Sequence, residues 1–142
     1  MQERKIDWKE CCSKKTAKSI APDLNLIESL KKSSENKFKS SDELQVNETT
    51  SVSKFILAYD SLRETLEALA LKNGYKIYNH ECYTAFLKEV LNQSNLGDEF
   101  DEIRKVRNRV NYYGKELSVE DSLDIILKTK KLREQILQIL KE

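Results

Sequence analysis

The residues from Asp101 to Ser118, "DEIRKVRNRVNYYGKELS", hold the densest set of side chains able to grip an anion. Arg104, Lys105, Arg107, Arg109 and Lys115 fall within twelve positions with no acid between them, and Asn108, Asn111, Tyr112 and Tyr113 are interleaved. Guanidinium groups bind phosphate in a planar fork, amides add neutral hydrogen bonds, and tyrosine rings can stack on a base or finish a core. Placed on a helix at roughly 100° per residue, Phe100, Ile103, Val106, Val110 and Tyr113 share one face. Arg107 lies inside that apolar arc, Asn111 follows one turn on, and Arg104 and Asn108 border it. Lys105 and Arg109 point to solvent.

An arginine on a packed face needs a partner, because a desolvated unpaired charge costs several kcal/mol. Two partners fit. One is an acid from another helix, Glu64 or Glu67, which makes Arg107 a structural ion-pair residue. The other is a ligand phosphate, with Arg107 kept ready in a cleft and Asn108, Asn111 and Tyr112 around it. His80, the single histidine, opens a helix two residues before Cys82 and reads first as a capping or packing residue. No carboxylate pair, phosphate-binding loop, dinucleotide fingerprint or nucleophile motif is present, and no cofactor is implied.

The elements that position these residues are helices. Only 3 Gly and 1 Pro occur in 142 residues, while 35% are charged, a composition of amphipathic helix surface. Pro22 and Asp23 suit the first turn of a helix carrying Leu26, Ile27, Leu30, Phe38 and Leu44, weakened at its middle by Ser33 and Ser34. Thr50 or Ser51 caps the next, whose stripe of Val52, Phe55, Ile56, Tyr59, Leu62, Leu66, Leu69 and Ala70 is the clearest 3.6 period in the chain. Gly74 is placed for a left-handed C-cap. A shorter helix opens at Asn79, "NQSNLG" reads as a loop, and a further helix runs from Asp98 to Tyr113 until Gly114 stops it. Ser118 and Asp121 form a capping pair for the last helix. No strand pattern is long enough to assign. The expected fold is all-α, an up-and-down antiparallel bundle over residues 22–142, with residues 1–21 as an additional N-terminal helix or arm packed on it through Trp8.

The net charge of +1 excludes wholesale capture of nucleic acid or anionic lipid, so any anion site is local. Cys11, Cys12 and Cys82 are odd in number and read as reduced, structural intracellular thiols, with no metal site. No apolar run reaches the roughly 20 residues of a membrane span, so the chain reads as soluble and cytoplasmic.

Three stretches in this order resemble a HEPN domain, the higher-eukaryote and prokaryote nucleotide-binding family. They are "AYDSLRETLEALALKNGYK" from Ala58 to Lys76, "NHECYTAFLKEV" from Asn79 to Val90, and "FDEIRKVRNRVNYYGKELSVEDS" from Phe100 to Ser122. The upstream "DWKECCSKKTAKSIAPDLNLIESLKKS" fits small prokaryotic members. The resemblance implies a HEPN-like bundle that pairs into a homodimer, with the Arg-Asn helices facing a shared cleft. It implies RNA or nucleotide as ligand, bound by Arg104, Arg107, Asn108, Asn111 and Tyr112. It also implies a role in a two-component system, with an antitoxin or a minimal nucleotidyltransferase as partner. The family's ribonuclease motif is an Arg, a polar residue, and a His after four to six intervening positions. Arg107 and Asn108 match its start, but the positions for His hold Tyr112, Tyr113 and Gly114. A metal-independent ribonuclease of this sequence would use Arg107 with Tyr112 or His80 to move the proton, although a tyrosine with a pKa of about 10 is a poor base at neutral pH. A third expectation is a non-catalytic bundle that only binds other proteins.

Overall fold

The computed structural model describes residues 4–142, and the molecule is an all-α bundle with one very small sheet. The elements are α1 (Trp8–Ser13), β1 (Ala17–Ser19), α2 (Leu24–Glu43), α3 (Ser51–Lys72), β2 (Tyr75–Ile77), α4 (His80–Ala85), α5 (Ser94–Tyr112) and α6 (Val119–Lys141). A π-helical turn, Phe86–Val90, continues α4. No helix among the described residues is long and apolar enough to cross a membrane.

Local chemistry sets most of these boundaries. The Asp23 carboxylate accepts from the Leu26 amide at 3.1 Å and starts α2. Ser118 Oγ accepts from the Asp121 amide at 3.0 Å and starts α6. Gly74, at φ +87°, turns α3 into β2, a backbone region open to glycine at little cost. The start of α3 is organised differently from expectation. Asn47 Oδ1 accepts from the Thr49 and Thr50 amides, and Thr50 gives its helix no side-chain cap.

α3 is the central rod. Phe55, Tyr59, Leu62, Leu66, Leu69 and Leu71 are all buried, and the helix is covered from several sides. α2 runs antiparallel to it along a polar seam in which Ser34 meets Ser61 and Thr65, and Ser41 Oγ donates to the Lys54 carbonyl at 2.8 Å. Of the two serines expected to weaken α2, Ser34 instead lies on its contact line, with Ser41 two turns on. Their small size lets the backbones approach, and their hydroxyls are satisfied by partners, as burial requires. The seam continues to α6, where Arg133 Nε donates to Ser34 Oγ at 3.2 Å and the guanidinium lies 4.5 Å from the Phe38 ring centroid. The chain alternates direction through α2, α3, α5 and α6. The C-terminal ends of α3 and α6 consequently meet, with Lys72 Nζ on the Leu140 carbonyl at 2.7 Å.

Three features depart from the sequence expectation. β1 and β2 pair antiparallel, Ala17 opposite Ile77 and Ser19 opposite Tyr75, in strands too short to show alternation. α5 begins at Ser94, not Asp98, so its first turn holds no acid. Leu96 and Phe100 are buried one turn apart, and Gly97 lies within the helix where a Cβ would lie 3.1 Å from the Thr84 carbonyl oxygen and closer still to the Lys88 side chain. A glycine that reads as a loop residue is a close-approach residue. Finally, Cys11 and Cys82 are joined in a disulfide, contrary to the expectation of reduced thiols, and Cys12 alone is a free cysteine, exposed. The pairing is non-local, across 71 positions, so neighbouring spacing carried no sign of it. It ties α1 to α4, beside the contacts of Trp8 with Tyr75 (5.1 Å between ring centroids) and Phe86 (5.8 Å).

Thiol titration in denaturant should therefore count one thiol per chain before reduction and three after. Reduction should lower the unfolding free energy by about 2–4 kcal/mol, the usual worth of a cross-link closing a long loop. Three thiols in the unreduced protein would mean the tie is absent.

Candidate functional site

α5 crosses α3 so that Arg107 comes down on Tyr59. The guanidinium carbon is 5.5 Å from the Tyr59 ring centroid and 5.3 Å from that of Tyr112, and Nη1 donates to the Tyr112 hydroxyl at 3.0 Å. Among the described residues Arg107 has no ion-pair partner, and its Nε is buried without a hydrogen bond. The acids expected to hold it are engaged elsewhere. Glu64 pairs with Lys37, and Glu67 with Arg63 at 3.0 Å and Lys76 at 2.9 Å. Two ring faces thus take the place of a carboxylate, an attraction of about 0.5–2 kcal/mol that leaves the charge itself uncompensated.

Arg107 lines an open cleft of about 550 Å³ with Thr16, Tyr78, Asn79, His80, Glu81, Arg104, Asn108 and Tyr112. Of the residues singled out from sequence, Arg104, Arg107, Asn108, Tyr112 and His80 meet there. Asn111 does not line the cleft and is exposed on the last turn of α5, and Tyr113, 73% exposed, leaves the apolar face on which the wheel placed it. α5 ends at Tyr112 and the chain turns at Gly114 (φ +60°), so helical geometry no longer directs Tyr113. Arg104 is buried, and its Nε and Nη2 donate to Asp101 Oδ1 at 3.2 and 2.8 Å. Burial pushes the Asp101 carboxyl up, but the Arg104 hydrogen bonds and charge outweigh it and hold the group below its usual range. Arg104 therefore enters the cleft already paired, and Arg107 supplies the uncompensated charge.

His80 reaches the same cleft because Asn79 caps α4, its Oδ1 accepting from the Glu81 amide at 2.9 Å, and because β2 delivers the chain to that point. The imidazole Nδ1 lies 2.9 Å from the Tyr59 hydroxyl. Burial, then the charges of Arg107, Arg63 and Arg104, lower its pKa from 6.5 to about 4. Burial holds the Tyr59 and Tyr83 phenols above their ordinary range against the neighbouring arginines. At neutral pH the imidazole is neutral and the Tyr59 phenol protonated beside the Arg107 cation, with Glu81 also lining the cleft. That arrangement accepts an anion and does not itself supply a strong base.

Tyr59, Thr16, Tyr78, Asn79 and Glu81 were not singled out as site residues. Tyr59 sits within the α3 stripe, where a tyrosine reads as core, and it is indeed fully buried while presenting its ring to Arg107 and its hydroxyl to His80. Tyr78 and Thr16 arrive through the β1–β2 pairing, with the Tyr78 amide on the Thr16 carbonyl at 2.8 Å. Among the described residues no three His, Cys, Asp or Glu side chains cluster to hold a metal ion. No family model, curated protein or solved structure matches this chain.

The lowered His80 pKa makes stability depend on pH. The unfolded histidine binds its proton below about 6.5 and the folded one only near 4, so this contribution is full above 6.5 and is lost as pH falls toward 4. Urea unfolding should show a falling midpoint across that interval, flattened in His80→Gln, since the chain has no second histidine. A wild-type midpoint independent of pH between 6.5 and 5 would place the imidazole in an ordinary environment.

Proposed function

We propose that this chain is a HEPN-type protein that binds RNA or nucleotide through the Arg107 cleft. The observation that supports it best is the uncompensated guanidinium, stacked between Tyr59 and Tyr112 with its Nε buried and unsatisfied. A phosphate would supply the missing charge and acceptors, and a bidentate arginine–phosphate pair is among the strongest hydrogen-bonded contacts. Asn108 and Tyr112 are positioned to bond phosphate or sugar oxygens, and Arg104 adds a second, partly neutralised cation. The remainder of the reading follows the sequence resemblance. It comprises a cytoplasmic homodimer and membership of a toxin–antitoxin or nucleotidyltransferase-associated pair. In the cytoplasm glutathione keeps most thiols reduced, so the Cys11–Cys82 cross-link would there mark an oxidised form.

A metal-independent ribonuclease is the second reading, favoured by one observation. His80 lines the same cleft as Arg107 although the sequence lacks a histidine at the motif spacing. Its pKa near 4 in the free protein argues for binding over proton transfer at neutral pH. A bound phosphate would raise that pKa by opposing the arginine charges.

Both readings are tested by titrating single-stranded RNA, without metal, into wild type and Arg107→Ala of verified fold. Binding should weaken by about 10–100-fold in the variant, the worth of one charged hydrogen-bonding group. The salt dependence of log K should lose about 0.7 in slope, one phosphate contact fewer. Equal affinity in both proteins, or none, would remove the cleft as a phosphate site. RNA cleaved by wild type and not by Arg107→Ala or His80→Gln would instead establish the ribonuclease.

A further inference from the structure

Tyr78 is an aromatic side chain at the cleft that the phosphate reading leaves unused. It is 60% exposed on a backbone that is hydrogen-bonded to the neighbouring segment of the chain. Its amide donates to the Thr16 carbonyl at 2.8 Å directly after β2, and the β1 pairing, extended by the Ile20 amide on the Gly74 carbonyl at 2.8 Å, holds that strand along one edge. The neighbouring α1 is itself locked to α4 by Cys11–Cys82. A large ring on a rigid support, left in water, is a surface poised to stack. Two cations lie over the ring, Lys18 Nζ at 5.6 Å and Lys76 Nζ at 6.0 Å from its centroid. Lys76 is neutralised by Glu67 at 2.9 Å, whereas Lys18 has no ion pair among the described residues. Arg107, Asn108 and Tyr112 lie across the same cleft, whose 550 Å³ is within the usual size of a small-ligand site.

The combination fits an unpaired nucleotide better than inorganic phosphate, a duplex or a protein. A phosphate alone needs the guanidinium and no ring. A stacked duplex offers no open base face to a side chain, whereas an unpaired base does. A protein partner would use an apolar rim around the ring, and here the cleft beside it is polar, with Thr16, Asn79, Glu81, Arg107 and Asn108 on its walls. Resting on the phosphate reading of Arg107, we propose that Tyr78 is the base-stacking platform of the cleft. It holds one unpaired nucleobase of single-stranded RNA while Arg107 holds that nucleotide's phosphate and Lys18 the adjoining one. Stacking is tolerant of base identity, so the platform selects single strands over duplexes and not one sequence over another.

The experiment compares a dye-labelled five-nucleotide adenylate RNA with the same oligonucleotide lacking its three central bases. Each is titrated by fluorescence anisotropy into wild type, Tyr78→Ala, Tyr78→Phe and Arg107→Ala. The expected result is a loss of about tenfold or more in Tyr78→Ala for the intact RNA, retention in Tyr78→Phe, and no change for the abasic strand. Arg107→Ala should weaken both strands. If Tyr78→Ala binds the intact RNA as wild type does, or weakens both strands alike, the stacking role is overturned and the phosphate reading stands. If Arg107→Ala binds both strands normally, or wild type binds neither, the phosphate reading fails and the base platform fails with it.

Discussion

The contact between the Tyr59 ring and the Arg107 guanidinium joins the core of this protein to its surface. Tyr59 is fully buried, stacked on Phe100 at 6.1 Å and tilted against Phe55 at 6.3 Å, so its position is set by the packing of α3 against α5. From that fixed ring two groups are placed in the cleft, Arg107 over the face and His80 against the hydroxyl. The cation is held without a carboxylate, and the same cation helps keep the imidazole neutral. Moving Tyr59 would therefore disturb charge, hydrogen bonding and proton affinity at once.

Around this point the bundle compensates its charges with care. Arg104 is closed by Asp101, Arg63 and Lys76 share Glu67, Arg133 reaches Glu35 at 2.9 Å, and buried Lys54 donates to the Ser41 and Leu44 carbonyls. Buried Ser34, Ser41, Ser61 and Thr65 satisfy one another or a neighbouring carbonyl along the α2–α3 seam. Among the described residues three buried side-chain atoms lack a hydrogen-bond partner, Glu64 Oε2, Gln135 Oε1 and Arg107 Nε, and of these residues Arg107 is the one that lines the cleft. A carboxylate at this position would have stabilised the fold and closed the cleft to anions. Leaving it open is consistent with a site whose acceptor arrives from solution.

The parts of the fold that were legible in the sequence are those decided by neighbours in the chain. Asp23 and Ser118 are caps because their oxygens reach amides three residues on, Gly74 takes a left-handed turn, and the α3 stripe repeats at helical spacing. The helical wheel likewise placed Arg107 on the packed side of α5. What could not be read depends on residues far apart. The β1–β2 pair spans the whole of α2 and α3, and it brings Tyr78 beside Thr16 at the rim. Cys11 finds Cys82 and not its neighbour, and Gly97 is explained only by the Thr84 carbonyl across from it. Of the two partners the sequence offers Arg107, an acid from Glu64 or Glu67 or a ligand phosphate, the acids are engaged elsewhere, and two aromatic rings lie against the guanidinium.

The most direct test of the account is the unfolding free energy of Arg107→Met, measured in urea at neutral pH with and without added inorganic phosphate. If Arg107 is an uncompensated cation awaiting an anion, the substitution should change stability by no more than about 1 kcal/mol, since lost ring contacts are offset by relief of a desolvated charge. Phosphate should then stabilise wild type by mass action and leave the variant unmoved. A loss of about 3–5 kcal/mol in the absence of phosphate, the signature of breaking a buried ion pair, would contradict the account and return Arg107 to the architecture of the bundle.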